Sequence, residues 1–138
     1  MSSERALWRS VKANLGPYGA FVRIESSTNK GIADVAYCIN THSGWLELKY
    51  LDAWPKRAAT FVKVPSLTLD QVLFLERWYD SGGAAYLLLR VGRSYMLLNS
   101  STTRALWNGI SRDELKAHAI VQGSNHLPTL ALIRALTT

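Results

Sequence analysis

Apolar residues recur along the chain at two periods, and each period marks a different kind of element. Near the N-terminus Leu7, Trp8, Val11 and Leu15 fall on one side of a 3.6-residue helix, and Arg5, Arg9 and Lys12 fall on the other. The spacing predicts an amphipathic helix opened by Ser2 or Ser3 and stopped by Gly16-Pro17. The period then shortens to two. Residues 20–25 read as a first strand, 26–31 as a polar turn, 34–39 as a second strand, 40–44 as a hairpin loop and 45–50 as a third strand. Alternation puts Trp45, Glu47 and Lys49 on one face of that third strand, and Leu46, Leu48 and Tyr50 on the other. Asp34, Ala36 and Cys38 share a face of the second strand, so a hairpin in matching register sets Asp34 beside Glu47.

Residues 52–64 break both periods and carry Lys56, Arg57 and Lys63 before Pro65-Ser66 ends the stretch. Thr68-x-x-Gln71 then has the form of a capping box and opens a helix through about Asp80, with Leu69, Val72, Leu75 and Tyr79 as its stripe and Gly82-Gly83 closing it. The near-continuous apolar run 84–91 predicts a strand covered on both faces, and Gly92-Arg93 a tight turn into another strand over 95–99. A short helix over 102–108, a second opened by Ser111-x-x-Glu114, a short apolar piece at 119–121 and a closing helix over 128–136 complete the chain. This order predicts an α/β fold, a central mixed β-sheet flanked by helices. It fits one domain over 1–138, with a core to about residue 99 and a helical extension over about 100–138.

Composition narrows the class. A chain of 138 residues, 48% of them hydrophobic, is enough for one buried core. No apolar run reaches membrane-spanning length, and the first residues lack the apolar segment of a leader. A single cysteine, Cys38, allows neither a disulfide framework nor a cysteine-based zinc site, and His42, His118 and His126 lack metal-ligand spacing. These features lead to the expectation of a cytoplasmic protein with no membrane partner. The net charge of +6 favours an acidic partner such as nucleic acid.

Against that background the third strand is anomalous. Burying charge is costly unless the charges are paired or coordinate a metal, yet Asp34, Glu47 and Lys49 stand between residues that belong in a core. Two carboxylates suit Mg²⁺, which prefers one or two carboxylates plus water and phosphate oxygens, and the backbone carbonyl of Leu48 can complete such a site. Lys49, on the same face as Glu47, can orient an attacking water or stabilise charge on phosphorus.

These residues resemble the PD-(D/E)xK nuclease superfamily, in which an aspartate opens one strand and E-x-K lies in the next. Gly31-Ile32-Ala33-Asp34 is similar to its Gly-x-Pro-Asp element, with Ala33 where many members have proline, and Glu47-Leu48-Lys49 is similar to E-x-K. The resemblance covers about residues 1–91. Within the superfamily it is most like small phage-type and VRR-type nucleases and Holliday-junction resolvases, which often carry a glutamine in the helix after E-x-K, where Gln71 stands. It implies a restriction-endonuclease-like fold and a metal-dependent DNA endonuclease, selective for branched DNA in phage or bacterial recombination and repair. It further implies Mg²⁺, replaceable by Mn²⁺, at Asp34, Glu47 and the Leu48 carbonyl, with Glu25, ahead of Glu4, as an added ligand. Lys49 and Gln71 complete the catalytic set, although Gln71 also has a purely structural use as a cap. Arg5, Arg9, Lys12, Lys30, Lys56, Arg57 and Lys63 are candidate phosphate contacts, with Trp54 in the basic loop as a stacking residue. A homodimer is expected because paired strand cuts need two sites. Two alternatives stay open: a sequence-specific homing or restriction-type nuclease, and a non-catalytic nucleic-acid-binding module whose acid–lysine cluster is a structural ion pair.

Overall fold

A computed structural model describes residues 3–25 and 30–138. Ser2 and most of the turn expected over 26–31 therefore lie outside the described residues. Ser3 caps helix α1 (Glu4–Leu15), its Oγ accepting from the Ala6 amide at 3.1 Å, and the helix buries Leu7, Val11 and Leu15 as its period requires. Among the described residues six strands follow in one sheet whose spatial order is the chain order: β1 (Ala20–Arg23), β2 (Val35–Ile39), β3 (His42–Leu51), β4 (Ala84–Val91), β5 (Ser94–Leu98) and β6 (Val121–Ser124). All neighbours are antiparallel except β3 and β4, which run parallel because helix α2 (Leu69–Asp80) carries the chain across between them. Helices α3 (Ser100–Asn108), α4 (Arg112–His118) and α5 (Thr129–Leu136) complete the expected α/β architecture.

The sheet is covered on both sides. Leu46 and Leu48 of β3 pack with α1 and α5 in one apolar layer, together with Val35, Tyr37 and Ile39 of β2. The opposite face, with Leu87 and Leu89 of β4 and Met96 and Leu98 of β5, packs against α2, α3 and α4. β4 is buried between them, which explains its unbroken apolar run. Glu47 and Lys49 point into the second layer, among residues that are otherwise apolar.

Four expectations need correction. The hairpin loop is two residues, Asn40-Thr41, rather than five: both adopt left-handed φ (46° and 69°), the geometry whose twist matches paired strands, so β3 begins at His42. The first strand ends at Arg23, two residues early. The stripe of α2 is narrower than its spacing suggests: Val72 and Leu75 are buried, Leu69 and Tyr79 are exposed, and Phe74 and Trp78 turn instead to edge-to-face contacts with Trp45. The C-terminal segment is not wholly helical, since Val121–Ser124 forms an edge strand on β5. Its Gln-Gly-Ser residues carry no apolar alternation because little lies over that edge.

One glycine positions the site. Gly31 has φ of +91°, and a Cβ there would stand 2.7 Å from the Asp70 carbonyl, so only glycine lets this segment lie against the first turn of α2. Three residues later the chain reaches Asp34.

Candidate active site

The β2–β3 ladder closes with Val35 opposite Leu46, and the next position in phase brings Asp34 to Glu47. There each carboxylate accepts a backbone amide from the segment that carries the other. The Asp34 amide donates to Glu47 Oε1 at 3.1 Å, and the Leu48 amide donates to Asp34 Oδ2 at 2.9 Å. A residue's N–H and C=O leave an extended strand on the same side, so the Leu48 carbonyl is directed to the edge where Asp34 sits.

Lys49 is 3% exposed and Glu47 is 0% exposed. The Lys49 ammonium donates to the Ser66 carbonyl at 2.8 Å and stands 3.5 Å from Glu47 Oε2, within ion-pairing range but without a hydrogen bond. Among the described residues Glu47 Oε2 is a buried side-chain oxygen with no hydrogen-bond partner. Burial, and after it the neighbouring Asp34 carboxylate, push the Glu47 carboxyl up to about 8, with Lys49 opposing the rise. Ser66 also links to the first helix, its Oγ donating to Glu4 Oε2 at 3.2 Å.

The residues suit a hard divalent cation. An unpartnered buried carboxylate oxygen, an adjacent aspartate and a backbone carbonyl are all oxygen donors, and a cation would reverse the penalty that raises Glu47. Among the described residues no cluster of three or more His, Cys, Asp or Glu side chains converges. Ligation at this place would therefore use two carboxylates, the carbonyl, water and substrate oxygens, the mixture Mg²⁺ favours.

No protein-family model matches the sequence. No curated protein matches it either. In three dimensions it is similar to Hjc, a Holliday junction resolvase from the archaeal hyperthermophile Archaeoglobus fulgidus, with a TM-score of 0.52 and 15% identity over 84% of this chain and 97% of that one. The chain shares that resolvase's fold. The likeness is one of fold, and the other candidate residues are placed by the geometry of this chain itself.

Within this resolvase fold Gln71 serves as the second half of a capping box. Its Oε1 accepts from the Thr68 amide at 2.9 Å while Thr68 Oγ1 accepts from the Gln71 amide at 3.2 Å. Glu25 is exposed one residue past Ile24, whose amide donates to the Asp34 carbonyl at 2.7 Å, so Ile24 and not Glu25 stands opposite Asp34. Glu4, ranked behind Glu25 on sequence, is the acid tied to the Lys49 anchor through Ser66. Arg5, Arg9, Lys12, Lys30, Lys56, Arg57 and Lys63 are all exposed. Trp54 has a partly buried ring, with Arg112 at 5.0 Å and Lys116 at 5.6 Å from its centroid. Sequence reasoning missed Ser66, whose main contribution is a backbone carbonyl that no residue type announces.

Proposed function

We propose that the protein is a divalent-metal-dependent DNA endonuclease acting on branched or otherwise structured DNA, in phage or bacterial recombination and repair. The observation that carries this reading is the unpartnered Glu47 Oε2, buried beside a second carboxylate and an ammonium whose hydrogen bond goes elsewhere. A pair retained for stability alone satisfies its oxygens, since an unsatisfied buried group costs about 1–3 kcal/mol and more when charged. A divalent cation held by Asp34, Glu47 and the Leu48 carbonyl would lower the pKa of a coordinated water and neutralise charge on the scissile phosphate.

The chain's own groups do the rest. Lys49 has three donors; one is fixed on the Ser66 carbonyl, which leaves two for the attacking water or a phosphate oxygen. Asp34 and Glu47 hold each other's strands through backbone amides, so their outer oxygens are set before substrate arrives. Gln71 acts at one remove by stabilising the first turn of α2, on which Gly31 rests. The exposed arginines and lysines give salt-sensitive contacts to phosphates with little sequence preference. Mg²⁺ is the proposed ion, with Mn²⁺ able to replace it, and a homodimer in the cytoplasm places two such centres on one branch point. The fold shared with a Holliday junction resolvase supports branched DNA as the substrate.

The test is a panel of labelled linear duplex, flap, single-strand and four-way-junction DNA incubated with Mg²⁺, Mn²⁺ or chelator. Metal-dependent cleavage of the branched members is the expected result. Discrete fragments from the linear duplex would assign a sequence-specific nuclease instead, and salt-dependent binding with no cleavage of any member would assign a binding module.

A further inference from the structure

The strap that anchors Lys49 carries a second feature outside the proposed centre. Over residues 61–65 exposure alternates: Val62 and Val64 are buried, while Phe61, Lys63 and Pro65 face outward side by side. Behind them a cavity of about 360 Å³ opens between this strap and the end of α3, lined by Phe61, Lys63, Pro65, Leu67, Leu106 and Trp107 among others. That volume lies within the usual range for small-molecule sites. Two aromatic rings border it and remain open to solvent, Phe61 at 52% and Trp107 at 42%.

Phe61 is exposed without being loose. A bridge to Ser111 and a hydrogen bond from the Val62 amide to the Ile110 carbonyl at 2.9 Å pin its backbone. Its ring occupies the space a side chain would take at Gly109, where φ is +123° and a Cβ would stand 2.6 Å from the ring. The fold thus holds an apolar aromatic face outward at a fixed place, beside a cation two residues on. Ser66, the anchor of Lys49, follows at most about 10 Å of chain beyond Lys63.

We propose that this cavity is a stacking site for an unpaired nucleobase of the bound DNA. The inference rests on the nuclease reading above and adds a reason for selecting non-duplex substrates. An aromatic ring offers its face to any base, Lys63 offers charge to the adjoining phosphate, and paired bases have no face free to enter. Pro65 and Leu67 line the pocket on either side of Ser66, which fixes the proposed catalytic lysine, so a base seated there would lie along the same strap as the proposed centre.

The experiment uses DNA carrying 2-aminopurine at a bulged position or at the matching paired position, titrated with the full-length protein in chelator so that cleavage plays no part. Phe61→Leu and Trp107→Leu keep apolar bulk and remove the ring, and melting curves verify that each variant is folded. The wild-type protein is expected to quench the bulged probe and each variant to lose that quench. Affinity for bulged DNA should fall about tenfold, against less than about twofold for the paired duplex. Equal quenching by wild type and folded variants, or equal losses on bulged and paired DNA, would overturn the stacking site. The nuclease reading stands or falls separately, on whether wild-type protein cleaves branched DNA when metal is added.

Discussion

Two acid–base pairs face the same side of the sheet and are built from nearly the same groups. Glu76 of α2 and Arg104 of α3 form a fork, with Arg104 Nε 2.8 Å from Glu76 Oε2 and Nη2 2.6 Å from Oε1, at positions partly open to water. That hydrogen bonding holds the Glu76 carboxyl below its ordinary value. Glu47 and Lys49 stand 3.5 Å apart, fully enclosed, with one carboxylate oxygen unpartnered and the carboxyl pushed up to about 8. The first pair clips two helices together. The second is poorly satisfied as a pair, which is the feature on which the proposed cation site rests.

Removing a member of each pair separates the two roles. Glu47→Ala and Lys49→Ala should each lower cleavage of branched DNA by about 10²-fold or more while leaving circular dichroism and most DNA affinity unchanged. Glu76→Gln should leave cleavage intact; full nicking by both site variants would sink the assignment.

The pairs also predict opposite responses to pH. With a folded value of about 8 against an ordinary 4.5, Glu47 binds more protons folded than unfolded between those limits, so it weakens the fold as pH rises through that window. Metal-free protein should therefore lose on the order of a few kcal/mol between about pH 5 and pH 8. Glu47→Gln should flatten that slope in denaturant titrations, and Mg²⁺ at pH 8 should raise the melting temperature of wild type but not of the variant. Glu76 is depressed, so its contribution is present above the ordinary carboxylate range and lost as pH falls through the lowered value. Glu76→Gln should cost about 1 kcal/mol at neutral pH, a difference that fades on acidification.

The smallest effect belongs to Gln71. Gln71→Ala should cost about 0.5–1 kcal/mol through loss of the capping box, measured by urea melts, and lower cleavage only a few-fold because α2 still forms. A drop as large as that of Lys49→Ala would move Gln71 from positioning residue to direct participant.

Much of this contrast was readable before any coordinates. The period of two in the hairpin set Asp34, Glu47 and Lys49 on one face, and the apolar neighbours marked Glu47 and Lys49 as enclosed, whereas Asp34, just ahead of its strand, is only partly buried. The capping box at Thr68 and the N-cap at Ser111 were equally plain, because each is local in sequence. What escaped was long-range or backbone-borne. Glu76 meets Arg104 across 28 positions, and Trp54 lies under Arg112 and Lys116, pairings that no local period encodes. Ser66 contributes through a carbonyl that any residue possesses. The last strand, Val-Gln-Gly-Ser, lacks the alternation that betrays a strand because it lies at an edge.

The two-residue turn at Asn40-Thr41 has a consequence well away from itself. Ile39 and His42 pair across it, and counting five residues back from one and five forward from the other arrives at Asp34 and Glu47. The hairpin is thus a caliper whose hinge sets the gap between its tips about 17 Å distant. Adding or deleting one residue at the hinge slides one arm past the other and turns its side chains to the wrong face, parting the two carboxylates without touching either. Length at positions 40 and 41 is therefore as much a specification of the centre as the acids are, and natural variation there should be confined to identity and never to number.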